Sequence, residues 1–385
     1  MSKIADLIAK YCPNGVEYKS IEEICEKVFA GGTPNTRRAD FYDGDIPWLR
    51  SGEVDFNQIY ETEKTITQAG YAGSSAKWIK AQSVLLAMTG ATVARSAVNE
   101  IELTANQSVC AMEVKPDIVN YKFLYYIIAN KYSEIKGMAQ GALTSINLSI
   151  VKKIEVPIPP LPVQQEIVRI LDSFTELEAE LEAELEARKK QYEHYRDELL
   201  NPENMKGDVN IVKFAEVVQI NRGVRLVKSQ LSENVGHPVF QNSLTPLGYY
   251  DKANCPANTP FVISAGAAGD IGYSNIPYWV ADDCWYFSTD ANILPRYLYF
   301  FLKHKQYVIK SKVRKASIPR LSKSSIERLE IPIPPLAEQE RIVAILDKFD
   351  ALVNDISDGL PAEINARRQQ YEYYRDKLLS FPMAA

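Results

Sequence analysis

From Pro162 to Leu200, apolar side chains return in steps of three and four. They are Ile167, Ile170, Leu171, Phe174, Leu177, Leu181 and Leu185, then Tyr192, Tyr195 and Leu199. That spacing predicts a one-sided helix, about 58 Å long at 1.5 Å per residue. The stripe reappears at Ile342, Ile345, Leu346, Phe349, Leu352 and Ile356, and again at Ile364, Tyr371, Tyr374 and Leu378. Gly359, Leu360 and Pro361 interrupt this second copy, so a kink or break is expected there. Between the helices the period changes. Residues 19–157 and 207–331 carry alternating apolar and polar runs bounded by turn residues, the pattern of strands. Each of these stretches starts with a short helical segment (21–27; 212–218). Each then reaches a strand pair built around glycine (83–90; 261–266) and an aromatic helix (121–129; 296–304).

The two patterns are one pattern used twice. VPIPPLPVQQEIVRILDSF at 156–174 returns as IPIPPLAEQERIVAILDKF at 331–349, with 12 of 19 positions identical. ARKKQYEHYRDELL at 187–200 returns as ARRQQYEYYRDKLL at 366–379, with 10 of 14 identical. Internal duplication of this kind implies two copies of one structural unit. The prolines at 157, 159, 160 and at 332, 334, 335 enforce an extended lead into each helix, and Pro162 suits a first helical turn.

Four segments follow: a mixed α/β domain over 1–157, a helical spacer over 158–206, a second such domain over 207–331, and a second spacer over 332–385. The class is α+β. The two long helices are expected to bury their stripes on each other as an antiparallel coiled coil with pseudo-two-fold symmetry. The alternative is that each packs on its own domain. Residues 2–11 precede the first domain much as 195–204 precede the second, so the first and last helices should meet.

Composition changes the picture in a few places. The chain has 385 residues, 46% apolar and 24% charged, which is average for a soluble protein of two domains. No apolar run is long enough to span a bilayer, and Met1 to Lys10 shows no secretory pattern, so a cytoplasmic protein is expected. Cys12, Cys25, Cys110, Cys255 and Cys284 and the three histidines are scattered, with no zinc-ligand spacing. The cysteines are expected to be buried thiols, and no structural metal is expected. The net charge of −5 is uneven: −1 over 1–157, −6 over 158–206, +5 over 207–331 and −3 over 332–385. The acidity belongs to the helices, which leaves a basic surface possible on the domains.

No Walker A, G-x-S-x-G or H-E-x-x-H motif is present, and no Asn-Pro-Pro-aromatic stretch. The glycine-rich 266–272 fits a tight strand turn better than a nucleotide loop. Binding signals are better. Nine Lys and Arg lie between Lys303 and Arg328 against the single Glu327, with Tyr307, Ser311 and Ser317 interleaved. Such a run is either a solvated face or a phosphate-contacting surface. Arg with Asn or Gln suits guanine and adenine edges. The candidate DNA-binding residues are therefore Thr33, Arg37, Arg38, Arg50, Arg95, Asn221, Arg222, Arg225, Gln241, Asn242, Lys312, Arg314, Lys315 and Arg320. Within the first helix, 176–187 iterates the four-residue block ELEA, keeping Leu177, Leu181 and Leu185 on one face.

The two P-I-P-P-L…Q…I-V…I-L-D…F blocks and the two A-R…Q-Y-E…Y-R-D…L-L blocks resemble the DNA specificity subunits of type I restriction-modification systems. The ELEA iteration is similar to that family's four-residue spacer element, and GLPAEI at 359–364 to its second helical region. The resemblance covers the whole chain in order. It implies two target recognition domains, each for one half of a split duplex DNA site, with helices that fix the gap. It also implies a subunit without catalysis of its own, placed between two adenine methyltransferase subunits and able to recruit restriction subunits. S-adenosylmethionine, ATP and magnesium would belong to those partners. A coiled-coil scaffold and an enzyme of unrecognised type are the other readings of the residues alone.

Overall fold

The computed structural model describes residues 2–139, 145–354 and 359–384. They form two units: residues 1–180 with 365–385, and residues 181–364. The four segments expected along the chain thus fold as two units, each taking in its share of helix.

In unit one, a short strand (Glu17–Ser20) pairs antiparallel with the proline-block strand (Glu155–Ile158). Pro157 is tolerated because this is a two-stranded ribbon, where it takes no central place. A single helical turn follows (Ile21–Ile24), capped by Ser20 and Glu23, and the chain then turns straight into a strand (Cys25–Ala30). The helix expected over 21–27 is therefore one turn long, because Cys25 onward is drawn into the main sheet. That sheet has five strands, in the order Cys25–Ala30, Val109–Val114, Ser83–Ala87, Ser96–Asn99, Gln58–Ile59. The aromatic helix Tyr121–Asn130 covers it, with Phe123, Leu124, Tyr126, Ile127 and Ile128 buried. A second, four-stranded sheet contains Tyr42–Leu49 beside Leu103–Ala105.

Unit two repeats the plan. Asn210–Lys213 pairs with Glu330–Ile333, one turn of helix follows at Phe214–Val217, and the main sheet has four strands. Their order is Val218–Arg222, Cys284–Thr289, Thr259–Ile263, Ile271–Ser274. The helix expected over 212–218 is again cut to one turn by strands on both sides. The helix Pro295–His304 covers this sheet, and a small sheet holds His237–Phe240 between Gly248–Tyr250 and Trp279–Val280. The glycine-rich 266–272 is the turn between two sheet strands, with Gly266 and Gly269 both at φ +89°, a conformation that favours glycine.

The long helix runs unbroken from Leu161 to Leu199, 39 residues. The second copy is two helices, Leu336–Asn354 and Leu360–Leu379, consistent with the interruption at Gly359 and Pro361. Ile356 lies outside the described residues. In unit one the long helix meets Leu360–Leu379 in antiparallel sense. Phe174 stacks on Tyr374, with ring centres 5.7 Å apart, and Glu178, four residues on, pairs back to Arg368. In unit two Tyr195 stacks on Phe349 at 5.3 Å.

Pairing explains only part of the stripe, because its first turns pack on the helix's own domain. Val163, Ile167 and Leu171 enter the unit-one core, and Ile342 and Leu346 the unit-two core. Both coiled-coil pairing and packing on the domain therefore occur, on successive stretches of one helix. The chain ends also meet within unit one. Leu7 and Ile8 pack with Leu378, Leu379 and Phe381, and Val16 donates its N–H to Pro382 O at 3.0 Å.

All five cysteines are free and buried. Burial pushes the Cys25 and Cys255 thiols up to about 12, so they stay protonated and inert. No group of three metal-binding side chains occurs among the described residues. No helix of the described residues is long and apolar enough to cross a membrane.

Candidate nucleic-acid interface

In each unit the main sheet and the small sheet bring four loops together at one place, by backbone hydrogen bonds. In unit one, Gly31 donates its N–H to Val109 O (3.0 Å) and Gly32 to Ala105 O (2.8 Å), and the Trp48 indole N–H reaches Gly32 O (3.0 Å). A Cβ on Gly31 would lie 2.2 Å from Ala105 O, so only glycine permits this approach. Asn106 N–H donates to Leu49 O (2.9 Å), which sets Arg50 and Ser51 beside the 106–108 loop. Ser51 O in turn accepts from the Thr92 hydroxyl at 2.8 Å.

Unit two repeats the backbone bonds with other side chains, and draws its indole from the partner strand instead. Gly223 donates to Cys284 O (3.1 Å), Val224 to Val280 O (2.9 Å), and the Trp279 indole to Val224 O (2.7 Å). Ala281 N–H reaches Phe240 O (2.9 Å), setting Gln241 and Asn242 where unit one has Arg50 and Ser51, and Ala267 N–H reaches Asn242 O (2.9 Å). A fifth segment closes the cluster. Gly266 donates to Pro319 O (3.2 Å) and Leu321 to Ser264 O (2.8 Å).

The sequence candidates divide accordingly. Thr33 and Arg50 lie in the unit-one cluster, where the Thr33 hydroxyl donates to the Gln107 amide oxygen. Arg50 pairs with Glu63 and Glu53. Arg95 ends the turn after Gly90 and binds Asp55 at 2.6 Å. Arg37 and Arg38 stand on the exposed turn beyond Thr33. There Arg38 makes a two-pronged bond to Asp40 (2.8 and 2.6 Å) and lies 4.5 Å from the Phe41 ring. That bond lowers the Asp40 carboxyl below its ordinary range and raises the Arg38 guanidinium.

In unit two, Arg222, Gln241, Asn242 and Arg320 are brought together; the Arg222 side chain donates to Asp282 O at 3.4 Å. Arg225 is exposed two residues past Gly223. Asn221 is turned along the sheet instead, and its amide donates to Ser288 Oγ at 3.0 Å. Arg314 and Arg320 face each other as a two-way backbone bridge (2.8 and 3.2 Å) with Lys315 in the loop between them, and Lys312 ends the preceding helix. Leu177, Leu181 and Leu185 lie half-buried on the long helix.

The basic run from Lys303 to Arg328 is not one surface. Lys303 is desolvated, which lowers its pKa, Lys310 pairs with Asp270, and Lys323 with Glu327. The Ser311 hydroxyl is spent on Val308 O, whereas Tyr307 is 86% exposed. Sequence reasoning missed Ser51, Thr92, Gln107 and Asp282. No short motif marks them, since strand register alone brings them to the cluster.

The clusters present hydroxyls, amides and guanidiniums on glycine-tightened loops, the side chains that bind phosphates and base edges. Comparisons with known proteins agree. The family described as type I restriction modification DNA specificity domain matches twice, at residues 13–187 and 206–366. A Haemophilus influenzae relative, named as a type I restriction enzyme specificity subunit, is 31% identical over 95% of this chain and 96% of its own. An Escherichia coli type I restriction enzyme specificity subunit is 34% identical over 68% of this chain and 71% of its own. Among solved structures, the S subunit of a type I restriction-modification system from M. genitalium aligns over 95% of this chain and 96% of its own. Its TM-score is 0.64 at 18% identity. Two matched copies, a relative similar from end to end and a shared fold make this chain a member of the type I restriction-modification DNA specificity family.

Proposed function

We propose that the chain is the non-catalytic reader of a type I enzyme, in which each unit recognises one half of a bipartite duplex site. The observation that carries this is the duplicated loop cluster: one backbone framework holding Thr33, Arg50 and Gln107 in one copy and Arg222, Gln241 and Asn242 in the other. A framework kept while its polar side chains change suits two different base sequences. The partners are two adenine methyltransferase subunits, with restriction subunits added for cleavage, and these carry S-adenosylmethionine, ATP and magnesium. The test is co-expression with methyltransferase subunits, followed by mapping of methylated adenines. Exchanging residues 207–331 for those of a relative should change one half-site and leave the other. Methyl transfer by this chain alone, or a change in both halves, contradicts the proposal.

The long helix supplies the ruler in this reading. Four residues lengthen a helix by about 6 Å and turn it about 40° past a full turn, and DNA turns about 34–36° per base pair. Deleting residues 180–183 leaves Leu177 and Leu185 four apart, so the stripe survives. The expected result is both half-sites intact with the gap shortened by one base pair; an unchanged gap with activity retained refutes the ruler.

A further inference from the structure

The segment 312–321 of unit two has no use yet beyond its charge. Arg314 and Arg320 close it as a hairpin by reciprocal backbone bonds, and Pro319 O and Leu321 N–H pin it to the turn at Gly266 and Ser264. The base is therefore fixed and the apex (residues 315–318) is exposed. No carboxylate lies within ion-pair distance of Lys312, Arg314, Lys315 or Arg320 among the described residues, unlike Lys310 and Lys323 on either side, which are paired. In the middle of these cations stands Ile318, 54% exposed. A lone exposed isoleucine is ordinary. One in the loop of a pinned hairpin, with unneutralised cations before and after it in the chain, and whose neighbour Pro319 bonds to the same Gly266–Ala267 turn that holds Asn242 O, is different.

We infer that Ile318 is a base-reading residue of unit two: it makes an apolar contact with base edges or a base step, while Lys312, Arg314, Lys315 and Arg320 hold the flanking phosphates. Isoleucine cannot hydrogen-bond, so it selects through the thymine methyl or through ease of unstacking at a flexible step. The cations carry no sequence information. The inference rests on the proposed role in DNA recognition and adds to it a named residue and its chemistry.

The test uses the full chain assembled with its methyltransferase partners and a pool of duplexes randomised across the second half-site. Ile318→Ala should lower the preference at one or two adjacent base pairs by about tenfold, the usual scale for one base pair. It should leave the first half-site and the salt dependence unchanged. Replacing Lys312, Arg314, Lys315 and Arg320 by Ala should do the reverse. Binding should weaken on every duplex, and base preferences should stay. The slope of log affinity against log salt should become shallower by about 0.9 for each phosphate no longer neutralised. Because Ile318 is exposed, its variant should melt at the parent temperature; if it does not, Ile318→Val and Ile318→Thr, which keep the branched shape, replace it. Ile318 variants that keep every base preference, or weaken all duplexes equally, overturn the inference. A parent complex with no bipartite preference would instead overturn the reading on which it rests.

Discussion

The turn that closes the central strand pair is built alike in both units and charged oppositely. In unit one Ala87 N–H donates to Arg95 O at 2.9 Å, and the Arg95 side chain binds Asp55. In unit two Ile263 N–H donates to Asp270 O, also at 2.9 Å, and the Asp270 carboxylate binds Lys310 and Gln306. The backbone bond is the same, the residue has changed sign, and each charge has acquired its own partner. What differs beyond this is how much charge is left over. In unit one Arg38, Arg50 and Arg95 are matched by carboxylates and Arg37 alone of the four candidate arginines is not, whereas the unit-two segment 312–320 leaves four cations unmatched among the described residues. The duplication kept the main-chain framework and let the side chains on it diverge.

If the framework is common, removing one of its shared supports should damage either unit equally. The strongest support is a buried glutamine after each proline block. Gln164 accepts from Asn120 N–H (2.8 Å) and donates to Ile118 O (3.0 Å) and Pro159 O (2.7 Å). Gln339 accepts from Leu294 N–H (3.0 Å) and donates to Asn292 O (2.8 Å) and Pro334 O (2.9 Å). Each ties the helix start to the loop before the aromatic helix, with its side chain buried. Gln164→Met or Gln339→Met keeps most of the volume but strands three backbone groups, and should destabilise its unit by about 3–5 kcal/mol. Hydrogen exchange by mass spectrometry, resolved by unit, checks this. Loosening in the unaltered unit, or a loss below about 1 kcal/mol, would break the comparison.

The next largest effect sharpens it at the candidate interface. A Cβ at Gly223 would sit 2.0 Å from Ala281 O, and one at Gly31 2.2 Å from Ala105 O. Both neighbours are backbone and cannot swing away. Gly31→Ala and Gly223→Ala should each destabilise by about 2–3 kcal/mol, as overpacking does, and each should abolish recognition of one half-site only. Selection of binding sites from a random pool reads both halves in one experiment.

These elements also show what the sequence made legible. The repeated proline blocks, the long helix, its interrupted copy and the glycine turns each leave a local signature, of period, of backbone conformation or of identity at a fixed offset. The loop clusters leave none. Arg50 was legible as an arginine, but its place beside Ser51, Thr92 and Gln107 follows from a parallel pairing of Trp48 with Thr104, across a chain separation no short pattern spans. Asn221 has the residue type suited to a base edge but is turned to Ser288, because strand alternation, not composition, decides its face. The basic run is spread for the same reason. Its lysines sit on separate helices and a hairpin, so burial and ion pairing remove some of them from the surface.

The smallest difference between the units is one of pH, and it falls at the last residue of the two aromatic helices. Unit one ends that helix on Asn130, unit two on His304. The His304 ring is desolvated, which lowers its pKa below the ordinary 6.5. Its hydrogen bond to Asp197 opposes this, and Lys305 and Arg196 nearby reinforce it. The folded state therefore resists a proton that the unfolded chain accepts near the ordinary value. Unit two has its full stability above about pH 6.5, where the imidazole is neutral in both states, and loses stability as pH falls through that value toward the lower folded one. Asp197, itself held below the usual carboxylate range, stays ionised throughout this window and does not contribute to the change. Lowering the pH from about 7.5 to about 5.5 should thus loosen the end of Pro295–His304 while Tyr121–Asn130 is unaffected, and His304→Asn should remove the difference. Amide exchange at the two helix ends, followed in parent and variant at both pH values with rates corrected for intrinsic pH dependence, is the measurement. A variant that keeps the parent's pH response would place the titrating group elsewhere in unit two.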